Sequence, residues 1–274
     1  MPADLHIHST FSDGTDTPEK IIAAALAAGL TTIALTDHDN IDGVEAALAA
    51  GRAAGVEVIP GIEFTTESPS TEIHILGYFI DCYNEEFLNQ LKIIQSSRVD
   101  RIAKITNKLN SLGVAIDKEE VLALSSGRSP GRPHVARALV KRGAVSSVKE
   151  AFNRYLDFRS PAYIPHYKLS PLEVIGLIRQ AGGVPVFAHP VVSNCDGFIP
   201  EMAAAGLRGL ETYYPGYSAE QSGRYAALAA KLGLIVTGGS DYHGANSGRE
   251  IKLGDLLIPD EMIRILKDEH LRRN

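Results

Sequence analysis

Apolar and polar residues follow two different periods along this chain. Ala3-Asp4-Leu5-His6-Ile7 sets a polar residue at every second position, the period of a strand. Thr17-Pro18 then opens a helix that Gly29 closes, a capping residue with proline at the first turn and glycine past the last. Thr32–Thr36 reads as a second strand, and an Ala-rich run from Asp42 to about Gly55 as a helix. Val56–Ile59 and Ile73–Ile80 read as strands three and four.

The period changes at Glu85. Leu88, Leu91, Ile94, Val99, Ile102, Ile105, Leu109 and Leu112 recur at helical spacing and predict one long helix over Glu85–Leu112, stopped by Gly113. Asp117 with Glu120, and Ser147 with Glu150, predict two more capped helices. Nothing between residues 85 and 168 reads as strand. Alternation resumes at Ser170-Pro171, where Glu173 completes a capping box and Gly182-Gly183 ends the helix. Val184–Ala188, Leu207–Thr212 and Leu234–Thr237 read as strands five to seven. Ser218, Gln221 and Gly233 delimit a helix between the last two. Strand followed by helix, repeated, predicts an α/β body with a mainly parallel, barrel-like sheet. Residues 1–90 and 168–274 would form that body, and 91–167 an all-helical insertion.

Composition narrows the class. The chain has 274 residues, 45% of them hydrophobic, enough for a large core. Its two cysteines, Cys82 and Cys195, are far apart, which argues against a disulfide scaffold or a cysteine zinc site and suits a reducing cytoplasm. The opening MPADLHIHST lacks the layout of a signal peptide. The longest apolar stretch, Ile21–Leu35, is broken by Gly29, Thr31 and Thr32, so no membrane span is expected.

The titratable residues cluster on this map. His6 and His8 share one face of strand one, and Asp13 follows in the next loop. His38 lies in TDHD after strand two, Glu63 in IPGIEF after strand three, and His74 at the start of strand four. His189 ends strand five in VFAHP, and Asp241 and His243 follow strand seven in SDYH. All but His74 fall at carboxyl ends of strands, the face where α/β barrels build active sites. Imidazole and carboxylate are ligands for divalent transition metals. Nine such groups exceed one ion's needs and predict a cluster of two or three.

The motif series DLHIHSTFSDG, TDHD, PGIEF, HILGY, FAHP and SDYH resembles the PHP (polymerase and histidinol phosphatase) superfamily. GRPHVAR and PAYIPHY, at the insertion, resemble its small bacterial phosphoesterases, which act on nucleoside 3′,5′-bisphosphates and short RNA. The resemblance implies a distorted seven-stranded barrel with a trinuclear site. It assigns His6, His8, Glu63 and Asp241 to one ion, and Glu63, His74 and His189 to a second. Asp13, His38 and His243 would hold the third. Manganese is the first expectation, with iron, zinc or magnesium as alternatives.

Such a cluster suits phosphate ester hydrolysis, with cations clamping the phosphoryl oxygens and a metal-held hydroxide attacking phosphorus. Asp37, Asp39 and Glu211 are candidates to orient ligands; capping or turn roles stay open for the two aspartates. Arg132 and His134 of GRPHVAR are candidate phosphate contacts, Arg132 through its guanidinium fork. A capped helix start, with Pro133 at its first position and a solvated Arg132, is the alternative. His166 would face the site mouth where the insertion ends. The leading expectation is a phosphoesterase that removes the 3′-phosphate of nucleoside bisphosphates, degrades short RNA from its 5′ end, or both. A histidinol-phosphate-type phosphatase and a non-catalytic metal-binding module are the alternatives. Expected partners are a small nucleotide or short single-stranded RNA, with no membrane and no obligate protein partner.

The formal charge of −6 first argues against a nucleic-acid ligand. It is unevenly divided. Residues 91–168 hold 15 Lys and Arg against 6 Asp and Glu, whereas the remainder holds 12 against 27. A basic insertion that attracts phosphates over an acidic, cation-binding body fits this split.

Overall fold

The computed structural model describes residues 2–67, 71–125, 129–158, 160–165, 169–256 and 258–272. Seven strands form one sheet in sequence order: β1 (Ala3–Ile7), β2 (Thr32–Leu35), β3 (Glu57–Glu67), β4 (Glu72–Tyr78), β5 (Val184–Phe187), β6 (Gly209–Tyr213) and β7 (Ile235–Gly238). Helices α1 (Pro18–Ala27) and α2 (Val44–Ala54) connect the first three strands. Between β4 and β5 come α3 (Glu85–Ser111), α4 (Lys118–Leu124), α5 (Arg132–Lys141), α6 (Val148–Ala151) and α7 (Pro171–Gln180). Then α8 (Pro190–Ser193) and α9 (Ile199–Ala205) precede β6, α10 (Ala219–Leu232) precedes β7, and α11 (Asp260–Leu271) follows it. A single π turn, Phe152–Leu156, extends α6. No helix among the described residues is long and apolar enough to cross a membrane.

The sheet curls until its edges meet at one end. Ile7 bridges to Tyr242, beyond β7, and the His8 amide donates to the Tyr242 carbonyl at 2.8 Å. The curled seven-stranded α/β architecture is the one expected from the sequence. The sheet is mainly parallel, as expected, and its exception is β4, which runs antiparallel to both β3 and β5. β3 also continues well past Ile59, so Thr65 pairs with His74 across the β3–β4 hairpin. Reversal of β4 explains the exception in the sequence map. The start of a reversed strand lies at the same end of the sheet as the carboxyl ends of its neighbours.

Capping chemistry sets most helix ends. Ser170 and Glu173 satisfy each other's backbone amides at 3.3 and 2.7 Å, and Ser218 with Gln221 does the same at 3.1 and 2.9 Å. Ser170→Ala is expected to destabilise the chain by about 1 kcal/mol in chemical denaturation. Two expected boxes form differently because a stronger partner takes the acid. Asp117 caps through the Glu119 amide, while Glu120 is held by both arms of Arg142 at 2.6 Å. Ser147 caps the Glu150 amide, but the Glu150 carboxylate takes the Ser146 amide at 2.7 Å. The helix expected from Asp42 starts two residues later, because the Asp42 amide is bound by the Asn40 side chain at 2.7 Å.

Helix α3 spans two hydrophobic clusters. Phe87, Leu91 and Ile94 pack with β3, β4 and α7 in the core of the sheet. Ile102, Ile105 and Leu109 pack instead with Val121, Val135, Leu139 and Leu156. Between these two stretches the buried face carries Arg98 and Arg101, 5% and 6% exposed.

Candidate metal centre

Six imidazoles and three carboxylates converge at the end of the sheet where β4 begins. β1 delivers His6 and His8 on one face. Gly239 lets the chain after β7 press against them, since a Cβ there would sit 2.2 Å from that of His6. Gly14 turns the following loop back so tightly that a Cβ would lie 2.4 Å from the His8 carbonyl oxygen. This loop is pinned by buried Asp37, which accepts from the Ser9 amide at 2.7 Å and from the Ser9 and Ser12 hydroxyls at 2.6 Å. His189 and Asp241 both have left-handed backbone, at φ 32° and 52°, a strain that side chains other than glycine rarely carry and that marks functional sites.

Glu63 stands at the centre. Its Oε2 lies 3.2 Å from His6 Nε2, 3.1 Å from His8 Nε2 and 3.1 Å from His38 Nδ1. Its Oε1 lies 2.8 Å from His74 Nδ1 and 3.1 Å from His189 Nε2. Asp241 Oδ1 lies 3.1 Å from His8 Nε2, and Asp13 Oδ1 3.2 Å from His243 Nε2. Glu63 Oε2 and His243 Nε2 are buried, yet neither makes a hydrogen bond. Buried polar atoms are normally satisfied. Lone pairs that converge without bonding one another fit a cation between them, and the donor set suits divalent metals.

Three overlapping groups have ligand atoms close enough to share an ion: His6, His8, Glu63 and Asp241; His8, Asp13, His38 and His243; and His38, Glu63 and His74. The first has the membership expected from the resemblance. The second adds His8 to the expected set. The third has His38 where His189 was expected, although His189 stands beside His74 on the same carboxylate oxygen.

The electrostatics are those of a charged, buried cluster. Burial alone would raise Glu63, Asp13 and Asp241. Imidazoles around all three, with Arg249 beside Asp241, hold each well below the usual carboxylate range. Burial opposes charge on His8 too, but Asp241 and Glu63 raise it to about 9. His38 is driven well below its usual value by burial, with His8 and His74 adding to the effect.

Supporting contacts surround the centre. Glu211 accepts from His6 Nδ1 at 2.9 Å and from the His189 amide at 2.8 Å, which leaves His6 Nε2 facing the cluster. Asp39 points away from it, toward Arg98 on α3 and the Thr65 amide. Tyr214 and Arg249 both donate to Asp241 Oδ2, at 2.8 and 2.5 Å.

A model of the PHP domain matches residues 4–164, more than half of the chain. The chain belongs to the PHP family. Over 265 residues it is 33% identical to a 5′-3′ exoribonuclease of Haemophilus influenzae, covering 93% of this chain and 96% of that protein. It is 32% identical over 259 residues to a 3′,5′-nucleoside bisphosphate phosphatase of Chromobacterium violaceum, covering 89% and 88%. A solved structure from Bifidobacterium adolescentis, described as a metal-dependent phosphoesterase, superposes with a TM-score of 0.89 at 34% identity. The match covers 99% of this chain and 96% of that one.

The PHP centre opens into a cavity of about 200 Å³ bounded by His38, His74, Arg98, Arg101, Arg132 and Arg249, among others. Arg132 pairs with Glu72, donates to the Leu156 carbonyl at 3.2 Å and lies over the rings of Phe152 and Tyr163. Arg101 donates through Nε to the Ile164 carbonyl at 2.8 Å, while its buried Nη2 has no hydrogen-bond partner. Sequence reasoning missed both α3 arginines. Their signal was present, because residues 98 and 101 continue the buried stripe of 91 and 94, where apolar side chains are the rule.

His134 does not line this cavity. It is buried, and its Nδ1 accepts from the Gly131 amide at 3.1 Å, capping α5. The helix it caps starts at Arg132, with Pro133 second, and Arg132 is paired with Glu72 rather than solvated. His166 lies outside the described residues. Burial pushes His134 down to about 4 from 6.5. Between those values the unfolded chain binds the proton and the folded one does not. The His134 contribution to stability is therefore full above pH 6.5 and falls by up to about 3 kcal/mol as the pH drops toward 4. Urea titrations at pH 7 and 4.5 check this. His134→Gln should flatten the slope, and an unchanged slope would refute the assignment.

Proposed function

We propose that this chain is a metal-dependent phosphoesterase acting on nucleotides. It removes the 3′-phosphate of nucleoside 3′,5′-bisphosphates and shortens RNA from a 5′-phosphorylated end. The observation that carries this reading is a buried His and carboxylate cluster opening directly onto an arginine-lined cavity. The two named relatives, one acting on bisphosphates and one on RNA, support the substrate class.

His6, His8, Asp13, His38, Glu63, His74, His189, Asp241 and His243 would hold two or three divalent cations, manganese first among them. Cations held there supply Lewis acidity toward phosphoryl oxygens and toward water. Asp37 fixes the loop that carries Asp13, and Glu211 fixes the ring of His6. Arg132 and Arg101 bind a second phosphate of the substrate, Arg132 by exchanging its bond to Glu72 and Arg101 through its unused Nη2. Residues 91–167 act as a basic cover over the substrate. A thiol nucleophile is disfavoured, because burial pushes Cys82 and Cys195 up to about 11. The enzyme works in the cytoplasm.

The test is purified protein with its metals quantified, offered three substrates: a nucleoside 3′,5′-bisphosphate, a nucleoside monophosphate and a 5′-phosphorylated oligoribonucleotide. Turnover of the first and third, with the second spared, is expected. Turnover of histidinol phosphate in preference to all three would overturn the reading.

A further inference from the structure

The candidate centre opens in a second direction. Beyond Asp13 and His243 lies another cavity, of about 250 Å³, whose cationic walls are Arg137 on α5, Lys149 on α6 and Arg249. It shares Asp13, Pro133, Phe152 and Arg249 with the arginine cavity described above. The group His8, Asp13, His38 and His243 therefore stands between the two, His38 facing the first and His243 the second.

We propose that this second cavity is the subsite for the downstream part of an RNA strand whose 5′-phosphate sits in the first. The proposal rests on the nucleotide phosphoesterase reading and deepens it.

The argument is one of substituents. The 3′-phosphate of a bisphosphate carries a single organic group, the nucleoside, and needs a single cavity. An internucleotide phosphate carries two. Hydrolysis adds the oxygen of water to phosphorus and breaks the bond from phosphorus to the 3′ oxygen. One proton of the water ends on that 3′ oxygen. The 5′-terminal nucleotide departs, and the remaining strand keeps the phosphate as its new 5′ end. Throughout, the second substituent must have somewhere to lie, and the Arg137–Lys149 cavity supplies it.

The lining fits a polyanion. Arg137 is half-buried and donates through Nη2 to the Asp13 carbonyl at 2.6 Å, which ties the subsite to the loop of a candidate ligand. Lys149 is exposed, and no ion pair among the described residues engages it. Its acidic neighbour Glu150 is already neutralised by Arg154 at 2.7 Å. Phe152 lines both cavities and provides an aromatic wall of the kind on which bases stack. At about 250 Å³ against about 200 Å³, the two cavities are of similar size, and both fall below the roughly 300 Å³ at which small-ligand cavities begin, so each encloses part of the strand while the rest lies in solvent.

The metal-loaded protein, Lys149→Gln and Lys149→Glu should be compared on a nucleoside 3′,5′-bisphosphate and on a 5′-phosphorylated pentaribonucleotide. Lys149→Glu should lower kcat/KM for the pentanucleotide about tenfold and leave the bisphosphate unchanged, with Lys149→Gln in between. The slope of log kcat/KM against log salt for the pentanucleotide should shrink by about 0.7 in Lys149→Gln. Equal effects on both substrates, or none on the pentanucleotide, would overturn the subsite. A wild-type protein that cleaves the bisphosphate but no oligomer would overturn the subsite alone. One that cleaves neither would overturn the nucleotide reading with it.

Discussion

Glu63→Ala is expected to lower turnover on every phosphate ester by at least about a thousandfold, the scale of a lost metal contribution of several kcal/mol. Five imidazole nitrogens face its two oxygens, more than face any other carboxylate of the cluster. Removing the carboxylate takes away a member of two of the three candidate groups at once. It also leaves those imidazoles without their counter-charge, so bound metal should fall in parallel. Elemental analysis of metal per chain reads this, and thermal unfolding checks that the fold persists. Glu63→Gln keeps the volume and separates loss of charge from loss of packing. His38→Ala should behave like Glu63→Ala on activity. Unchanged turnover in both Glu63→Ala and His38→Ala would remove the metal-site assignment.

Arg132→Ala should raise KM for substrates that carry a 5′-phosphate by about 10- to 100-fold, with a smaller change in kcat. The side chain stands in the arginine cavity with its fork engaged by Glu72 and backed by Phe152 and Tyr163. An incoming phosphate exchanges with Glu72 rather than meeting a free cation, so part of its binding energy goes into that exchange. Arg132→Lys keeps the charge and loses the fork, and should recover only part of the affinity. Steady-state kinetics on paired substrates, with and without the 5′-phosphate, make the comparison. An equal loss on both would refute the clamp.

Much of this was legible in the sequence because it rests on local chemistry. Caps such as Ser170 with Glu173 announce helix starts whatever the tertiary context. Strand ends were marked by the residues they deliver, so the nine candidate ligands could be named before their distances were known. The direction of β4 was not legible. Ile73–Ile80 has the same composition whichever way it runs, and only its hydrogen bonds to β3 and β5 decide. The position of His74 was the one available hint, because a reversed strand is the simplest way to bring its first residues to the others' ends. Arg98 and Arg101 were concealed by the rule that finds helices, which scores apolar positions and passes over a cation in the same stripe. Tyr214 and Arg249 lie in loops without periodicity, and only folding brings them to Asp241. His134, read as a candidate phosphate contact, also caps the Gly131 amide three residues before it, a local role the motif did not announce.

Helix α3 has a consequence for anyone recombining this chain with its relatives. Its residues 98 and 95 grip Asp39, Arg98 on the carboxylate and Gln95 on the carbonyl at 3.0 Å. Asp39 adjoins His38 and holds a left-handed φ of 46°. The Ser129 hydroxyl holds the carbonyl of His38 itself at 2.7 Å. The helical segment expected over 91–167 is therefore no interchangeable cartridge. A chimera that imports a foreign segment without an arginine at position 98 buries Asp39 unpaired, at about 3–5 kcal/mol. It also slackens the loop that carries His38, so the graft would fail at the metal centre before it failed at the substrate.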